Sequence, residues 1–199
     1  MYHRYEIRSK MHEIRTTAWI ALGGNLPRGA EKPERTLSEA IEMIASRDIQ
    51  ICSISKFYRT PCFPKGGGPD YVNAAMSVKT TLSAGALLTE LHHVETHFSR
   101  VREERWGGRT LDLDLLSFGN AILPNLDKYA KWRDLDLQTQ IKSAPDELIL
   151  PHPRLQDRSF VLIPLCDIGA DWSHPVSGET ALNLRDRLSS EDISSVEAL

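Results

Sequence analysis

The sequence lacks the features that mark several common functional classes. Its 24 Lys and Arg residues are outnumbered by 27 Asp and Glu, which gives a formal net charge of −3. Proteins that hold nucleic acid by its phosphates normally carry a clear basic excess, so we expect no nucleic-acid partner. No apolar run approaches the roughly 20 residues that a membrane crossing needs. We therefore expect no membrane partner.

Cysteine is scarce, and the opening residues do not resemble a secretion signal. Cys52, Cys62 and Cys166 are widely spaced and form no Cys-x-x-Cys pair, which argues against a disulfide framework or a zinc knuckle. We interpret them as reduced thiols in the core or in a pocket. The opening stretch Met1–Arg15 has scattered charges where a signal peptide needs an apolar centre. We expect a cytoplasmic protein in which residues 1–16 form an N-terminal extension.

A nucleotide-binding loop of the Walker type is also missing. The triple glycine Gly66–Gly68 is not followed by the Gly-Lys-Ser/Thr ending of that motif, so we interpret it as a hinge in a loop. Any phosphate binding must come from a different arrangement of residues.

Apolar periodicity predicts strands and helices in alternation. Strand patterns cover 17–22, 49–58, 71–78 and 111–118, whereas helical spacing begins near Pro33 and again after Ser83. Such alternation favours an α/β sandwich with helices packed on a mixed sheet. We expect residues 17–199 to form a single domain, with a polar segment of unclear structure at 125–145.

The most informative stretch is Arg105 to Leu116, which contains Asp112 and Asp114. On a strand, these two side chains project from one face roughly 6.6 Å apart, while the intervening leucines face the core. Carboxylate oxygens are hard ligands that suit Mg²⁺, and a magnesium ion held this way keeps positions open for water and substrate phosphates. A bare Asp-x-Asp on a solvated strand face would be the alternative interpretation.

Basic residues precede this strand and favour a phosphate and metal site over a solvated strand face. Arg100, Arg102, Arg105 and Arg109 lie directly upstream of the two aspartates. A guanidinium group is permanently charged and binds phosphate oxygens in a bidentate manner. Acids for a metal beside arginines for phosphate indicate phosphoryl-transfer chemistry.

This segment resembles the signature of the 6-hydroxymethyl-7,8-dihydropterin pyrophosphokinases of the folate pathway. Three further segments are similar to that family's pterin loop, pterin wall and phosphate-binding segment, in the same order: 57–61, 69–75, and 151–153 with 158–162. The resemblance spans about residues 17–171. Gly108, the long 125–145 segment and the N-terminal extension depart from the family pattern.

The resemblance implies a ferredoxin-like three-layer α+β fold, with a mixed, mostly antiparallel sheet and helices on both faces. It implies transfer of pyrophosphate from MgATP to the hydroxymethyl group of the pterin, with AMP as the second product. ATP is then a co-substrate, and two Mg²⁺ ions are expected. A monomer is expected, with a homodimer left open.

Individual roles also follow from the resemblance. Asp112 and Asp114 would hold the metal ions, and Arg100 and Arg102 would belong to a catalytic loop. The predicted ATP-binding residues are His92, Glu95, Arg105, Trp106, Arg109, His152 and Arg158. The predicted pterin-binding residues are Thr60, Pro61, Phe63, Tyr71, Asn73, Trp106, Asp112 and Phe160. Tyr71 and Phe160 would stack on the pterin, and Asn73 would bind its edge.

Other interpretations remain open at this point. A metal-dependent nucleotidyl transferase or phosphohydrolase would use the same acids and arginines. An RNA-binding module could use Tyr71 and Phe160 to stack bases, although the net charge weighs against it. Residues 133–137 (RDLDL) imitate the key strand without an arginine loop before it, and we interpret them as a surface segment.

Overall fold

The computed structural model of the chain describes residues 14–46, 48–62, 67–98, 108–136, 139 and 143–199. The strands are β1 (Thr16–Gly24), β2 (Ile49–Ile54), β3 (Tyr58–Thr60), β4 (Tyr71–Thr80), β5 (Asp112–Phe118) and β6 (Glu197–Ala198). The helices are α1 (Pro33–Ile44), α2 (Ala84–His97), α3 (Leu126–Arg133), α4 (Ser159–Gly169), α5 (Ala181–Asp186) and α6 (Ser190–Ser194). A 3₁₀ turn covers Leu155–Asp157.

The described strands form one sheet in the order β5-β1-β4-β3-β6, and β2 also pairs with β4. The pairings of the described strands are antiparallel. β4 is the longest strand, and its two halves pair with β3 and β2 on the same edge. The expected α+β architecture, with an antiparallel-rich sheet, is confirmed.

The larger core lies between one face of the sheet and helices α1 and α2. Side chains of β1, β4 and β5 alternate along each strand, so every second residue enters this core. The helices contribute the apolar side chains that recur at helical spacing, among them Leu37 and Ile41 of α1 and Leu87 and Leu91 of α2. Pro33 stands in the first turn of α1, and Ser83 caps α2 by accepting from Ala86 N, as the sequence predicts.

A smaller core covers part of the opposite face. Ala21, Ala75 and Leu116, from three neighbouring strands, pack there against Leu162 and Leu165 of α4. Helices therefore lie on both faces of the sheet, which confirms the three-layer prediction. Because α4 covers only part of this second face, the strand ends that carry Asp112, Gly23 and Asn73 lie beyond its core.

One segment differs from its predicted form. The strand expected over 49–58 ends at Ile54, because the Ser55 hydroxyl accepts from Ala75 N at 2.9 Å and the chain then leaves the ladder until Tyr58. The apolar run 160–165 is helical and belongs to α4. A strand-like run and a buried helix look alike in a short apolar sequence. None of the described helices combines the length and apolarity required to cross a membrane.

The polar 125–145 segment contains a short helix. Asn125 caps α3 by accepting from Lys128 N at 3.0 Å. The described part of the RDLDL stretch, residues 133–136, lies at the end of this helix, with Asp134 exposed and paired to Arg133. Asp136 is exposed and accepts from Thr139. These carboxylates bond within their own segment, in keeping with the predicted surface role.

Candidate active site

Strand register brings the predicted pterin residues and the predicted metal residues into one row. Asn73 of β4 lies opposite Gly23 of β1, and Gly23 lies opposite Asp112 of β5. The next row holds Ala75, Ala21 and Asp114. Since adjacent strands are about 4.8 Å apart, Asn73 and Asp112 are separated by roughly 10 Å on the same face. Two groups that are 39 residues apart in sequence thus form the walls of one groove.

Glycine at position 23 forms the floor of this groove. A Cβ atom added there would lie 3.0 Å from Asn73 Oδ1, so any side chain would press on that amide and fill the space between the two walls. The neighbouring Gly24 is required by the backbone, because a Cβ would lie 2.5 Å from the carbonyl oxygen of Thr110. Nothing in the local sequence indicated that Gly23 would form the floor of a site.

Asp112 and Asp114 occupy the positions that the alternation predicts. Their side chains are 22% and 37% exposed, whereas Leu111, Leu113 and Leu115 lie in the main core. The strand pattern, and the shared face of the two carboxylates, are therefore confirmed. Both acids are accessible to a ligand in the groove.

Arginines flank the two carboxylates. Arg109 Nη1 lies 2.5 Å from Asp112 Oδ2, and Arg158 Nη1 lies 3.8 Å from Asp114 Oδ2. Burial works to lower the pKa of Arg109, but the charge and hydrogen bond of Asp112 outweigh it and raise the pKa. Burial lowers the pKa of Arg158, opposed by the two aspartates. The site thus places two cations against two anions, an arrangement that a polyphosphate with its metal ions can enter by exchanging partners.

His152 is held in one protonation state. Its backbone N donates to Leu116 O at 2.8 Å, and its Nδ1 accepts from Arg154 N at 3.1 Å. Because Nδ1 is an acceptor, the proton of the neutral ring sits on Nε2. Burial, followed by the charge of Arg158, lowers the pKa of His152 to about 3. The imidazole is therefore a neutral hydrogen-bond donor throughout the physiological range.

Glu95, predicted to contact ATP, has a buried carboxylate. It is 1% exposed on α2, and its Oε1 accepts from Leu113 N at 2.9 Å. Leu113 lies between Asp112 and Asp114, so this bond joins the helix to the strand of the two acids. His92 lies one turn earlier on the helix and is exposed. The predicted ATP contacts of both residues stay predictions.

The predicted pterin residues form the other wall. Asn73 is buried, and its Nδ2 donates to Thr60 Oγ1 at 2.7 Å. Tyr71 is half-buried, and burial raises its pKa while Arg109 opposes the shift, which places the phenol near the arginine wall. Phe160 is partly exposed at the start of α4, with the Arg158 guanidinium 5.6 Å from its ring centre. Pro61 is exposed at the end of β3.

Asn25 is a site residue that the sequence reasoning missed. It is 2% exposed, and its amide donates to Pro69 O at 3.0 Å and accepts from Arg109 N at 2.7 Å. One side chain thereby joins the turn after β1 to both walls of the groove. The available signal was an asparagine directly after two glycines at the end of a strand pattern, a combination typical of a tight turn. Its burial explains the two bonds, because an amide that loses water needs partners on both its atoms.

Several predicted residues lie outside the described part of the chain. They are Arg100, Arg102, Arg105, Trp106 and Phe63. Of the three cysteines, Cys62 is buried and Cys166 is half-buried, but Cys52 is exposed on the edge strand β2, where a core or pocket thiol was expected.

The donor set fits magnesium better than a structural metal. Among the described residues, no group of three or more His, Cys, Asp or Glu side chains is placed to hold an ion. Asp112 and Asp114 offer two hard carboxylates and leave further ligands to come from water and phosphate, which is how Mg²⁺ is usually bound at nucleotide sites. Binding there would require Arg109 to release Asp112 in exchange for phosphate oxygens.

Comparison with known sequences agrees with this site. The family model of 7,8-dihydro-6-hydroxymethylpterin-pyrophosphokinase (HPPK) matches residues 19–170. A 2-amino-4-hydroxy-6-hydroxymethyldihydropteridine pyrophosphokinase of Haemophilus influenzae is 36% identical over 162 residues, covering 81% of this chain and 86% of that protein. The enzyme of the same name from Synechocystis is 34% identical over 167 residues, covering 84% and 73%.

Comparison with solved structures agrees on the fold. The crystal structure of wild-type Plasmodium falciparum HPPK-DHPS matches 89% of this chain with a TM-score of 0.62 at 16% sequence identity. This chain spans 42% of that longer chain. The fold, the groove and the sequence relatives converge, and this chain belongs to the 7,8-dihydro-6-hydroxymethylpterin-pyrophosphokinase family.

Proposed function

We propose that this chain transfers the pyrophosphoryl group of ATP to the hydroxymethyl group of 6-hydroxymethyl-7,8-dihydropterin, a step of folate biosynthesis. The observation that carries the proposal is the row Asn73–Gly23–Asp112. It places an amide suited to a pterin edge and a carboxylate suited to a metal–phosphate complex on opposite walls of one groove. The family membership supports both substrates.

We propose that Asp112 and Asp114 hold two Mg²⁺ ions, which would neutralise phosphate charge and orient the β-phosphorus when bound. Side chains of this protein would bind the phosphates directly. Arg109 and Arg158 would take phosphate oxygens as they exchange their aspartate partners, and neutral His152 would donate from Nε2. These groups stabilise charge without gaining or losing a proton themselves.

The reaction is a single in-line displacement. The pterin hydroxymethyl oxygen bonds to the β-phosphorus, the bond from that phosphorus to the α–β bridging oxygen breaks, and AMP leaves while the hydroxyl proton is released. Tyr71, Asn73 and Phe160 would hold the pterin so that its hydroxymethyl group faces Asp112. Positioning of the two substrates acts together with electrostatic stabilisation by the arginines to lower the barrier in such a mechanism.

Other assignments rest on the resemblance alone and are part of the proposal. Arg100 and Arg102 would close over the phosphates, with Arg105 and Trp106 beside ATP and Phe63 beside the pterin. Residues 17–199 would act as one monomeric, cytoplasmic domain. All six described strands, β1 to β6, belong to one sheet, which supports the one-domain assignment.

The products of the reaction test the proposal directly. Incubation with ATP, Mg²⁺ and hydroxymethyldihydropterin should give AMP and the pterin diphosphate in equal amounts. Formation of ADP or free pyrophosphate, or turnover that does not depend on the pterin, would contradict it. The second and third of these outcomes would instead indicate a phosphohydrolase or nucleotidyl transferase.

The two Asp-x-Asp sequences offer a matched pair of variants. Asp112→Ala should lower kcat by at least about a thousandfold, because it removes a metal ligand and the partner of Arg109. Asp134→Ala removes an exposed carboxylate on the surface segment and should leave kcat within about twofold. Equal losses in the two variants would overturn the assignment of the metal site to β5.

A further inference from the structure

We propose that helix α3 is a brace for the ATP side of the active site, and that Arg154 is the positioning residue through which it acts. This inference rests on the proposed function, which places His152 and Arg158 on the ATP phosphates. It assigns a role to helix α3, which lies within the 125–145 segment, and to a side chain outside the resemblance-derived site.

Arg154 lies in the middle of the phosphate-binding segment. Its backbone N donates to His152 Nδ1 at 3.1 Å, and it immediately precedes the 3₁₀ turn that leads to Arg158. Leu155 within this turn is fully buried in the smaller core, so the turn is anchored on its inner side. The orientation of His152 and Arg158 thus depends on how the backbone at Arg154 is held.

The side chain of Arg154 is fixed by α3. Its Nη1 donates to the carbonyl oxygen of Arg133 at 3.2 Å. Arg133 is the last residue of α3, where carbonyl groups lack helical partners and the helix dipole favours a cation. Arg154 also lies 3.7 Å from Asp157, at the end of its own turn. With a side chain only 25% exposed, the guanidinium is held from two directions.

The helix that supplies this carbonyl is itself anchored. Tyr129 of α3 is 1% exposed, and its hydroxyl lies 3.3 Å from Nε2 of the buried His174. The ring of Tyr129 is also covered by the Arg133 guanidinium at 5.8 Å. α3 is therefore tied to the segment before α5, and it presents a fixed carbonyl to Arg154.

The charge of Arg154 acts on the same groups. Arg154 contributes to lowering the pKa of both His152 and Arg158, although burial is the main cause in each case. An arginine that acts on Arg158 and His152 adds positive potential where the proposed triphosphate binds. Its removal should weaken ATP binding more than pterin binding, because the pterin wall is formed by β3 and β4.

The test compares Arg154→Met, which keeps the apolar stem, with Arg154→Lys, which also keeps the charge. Arg154→Met should raise KM for ATP about five- to tenfold, with KM for the pterin within about twofold of the parent. Arg154→Lys should recover most of the affinity for ATP. Lys131→Ala removes an exposed cation of the same sign from α3 and should leave both KM values unchanged.

Calorimetry with a nonhydrolysable ATP analogue and Mg²⁺ separates the possible outcomes. A parent protein that binds the analogue but makes no AMP contradicts the proposed function, while the affinities of the variants still test Arg154. Unchanged ATP affinity in Arg154→Met, or an equal rise in KM for both substrates, would contradict the proposed positioning role of α3 and Arg154. If Arg154→Met does not fold, unchanged ATP affinity in the shorter, uncharged Arg154→Gln overturns it in the same way.

Discussion

At the scale of single residues, the site depends on buried polar side chains that hold the backbone. Glu95 accepts from Leu113 N inside the protein, and Asn25 joins the turn after β1 to Pro69 and Arg109. Each of these bonds fixes a main-chain segment that carries a ligand-facing residue. The partly buried acids and arginines of the groove can therefore act from fixed positions.

Glu95 provides a prediction at this scale. Glu95→Ala leaves the buried Leu113 amide without this acceptor, which costs about 1–3 kcal/mol and allows β5 to shift. We expect the Mg²⁺ concentration for half-maximal activity to rise severalfold. Glu95→Gln keeps a carbonyl oxygen for the same bond and should remain within about threefold of the parent in a Mg²⁺ titration.

The result distinguishes positioning from direct contact with the nucleotide. If the negative charge of Glu95 contacts ATP or its metal, Glu95→Gln should lose as much activity as Glu95→Ala. Thr89→Ala, at an exposed position of the same helix, provides the control for changes in α2 itself.

At the scale of elements, the short strand β3 is held by more than its pairing with β4. The buried Tyr58 donates from its hydroxyl to Asp167 Oδ2 at 2.8 Å, and Lys56 N donates to the same oxygen at 3.2 Å. Asp167 lies on α4, the helix that begins beside Arg158 and Phe160. On its outer edge, β3 pairs with β6. Helix α4 thus links both sides of the proposed pterin pocket.

Tyr58→Phe should loosen this link without leaving a cavity. We expect KM for the pterin to rise about two- to fivefold and KM for ATP to stay within twofold, since Thr60 and Asn73 depend on β3 whereas Arg109 does not. Steady-state kinetics with each substrate varied in turn would check this. An equal change in both KM values would show that the link serves general stability.

The same tyrosine gives a prediction for alkaline pH. Burial, followed by the bond to Asp167, raises the pKa of Tyr58 from 10.0 to about 12. The folded protein therefore retains this proton where the unfolded chain releases it, so stability is lost as pH rises from about 10 to 12. Urea unfolding across this range should show a shallower loss in Tyr58→Phe than in the parent.

At the scale of the whole molecule, His174 ties α3 to the segment that leads to α5. Its Nδ1 accepts from Val176 N and Ser177 N at 3.2 Å, and its Nε2 faces the Tyr129 hydroxyl. Burial lowers the pKa of His174; Glu179 opposes the shift and Arg133 adds to it. Protonation at Nδ1 would break both backbone bonds, so the folded state favours the neutral ring.

Acid should therefore destabilise the protein through His174. The unfolded chain takes up a proton near pH 6.5, whereas the folded chain does so only at lower pH, so the free energy of unfolding falls as pH drops below about 6.5. His174→Asn keeps an acceptor for the two amides but cannot be protonated. Its stability should fall less steeply between pH 7 and pH 5 in urea unfolding, and an identical slope would contradict this origin.

The sequence predicted most of this architecture for identifiable reasons. The alternation of Asp112 and Asp114 with buried leucines predicted the strand and the shared face, and Pro33 and Ser83 predicted the helix starts. The break between β2 and β3 could not be predicted, because it depends on the Ser55 hydroxyl meeting Ala75 across the sheet. The helical form of 160–165 depended on packing against Ala21 and Ala75.

The local sequence by itself indicated part of the chemistry: a two-residue period places two carboxylates on one strand face, and residue type places arginines beside them. The aromatic wall was implied by the family resemblance. Only the tertiary structure decided which of these groups meet. Antiparallel register placed Asn73 and Asp112 on either side of Gly23, and packing of α3 brought the Arg133 carbonyl to Arg154. Such contacts join residues far apart along the chain. A local sequence pattern cannot predict them, because they depend on how strands and helices align in space.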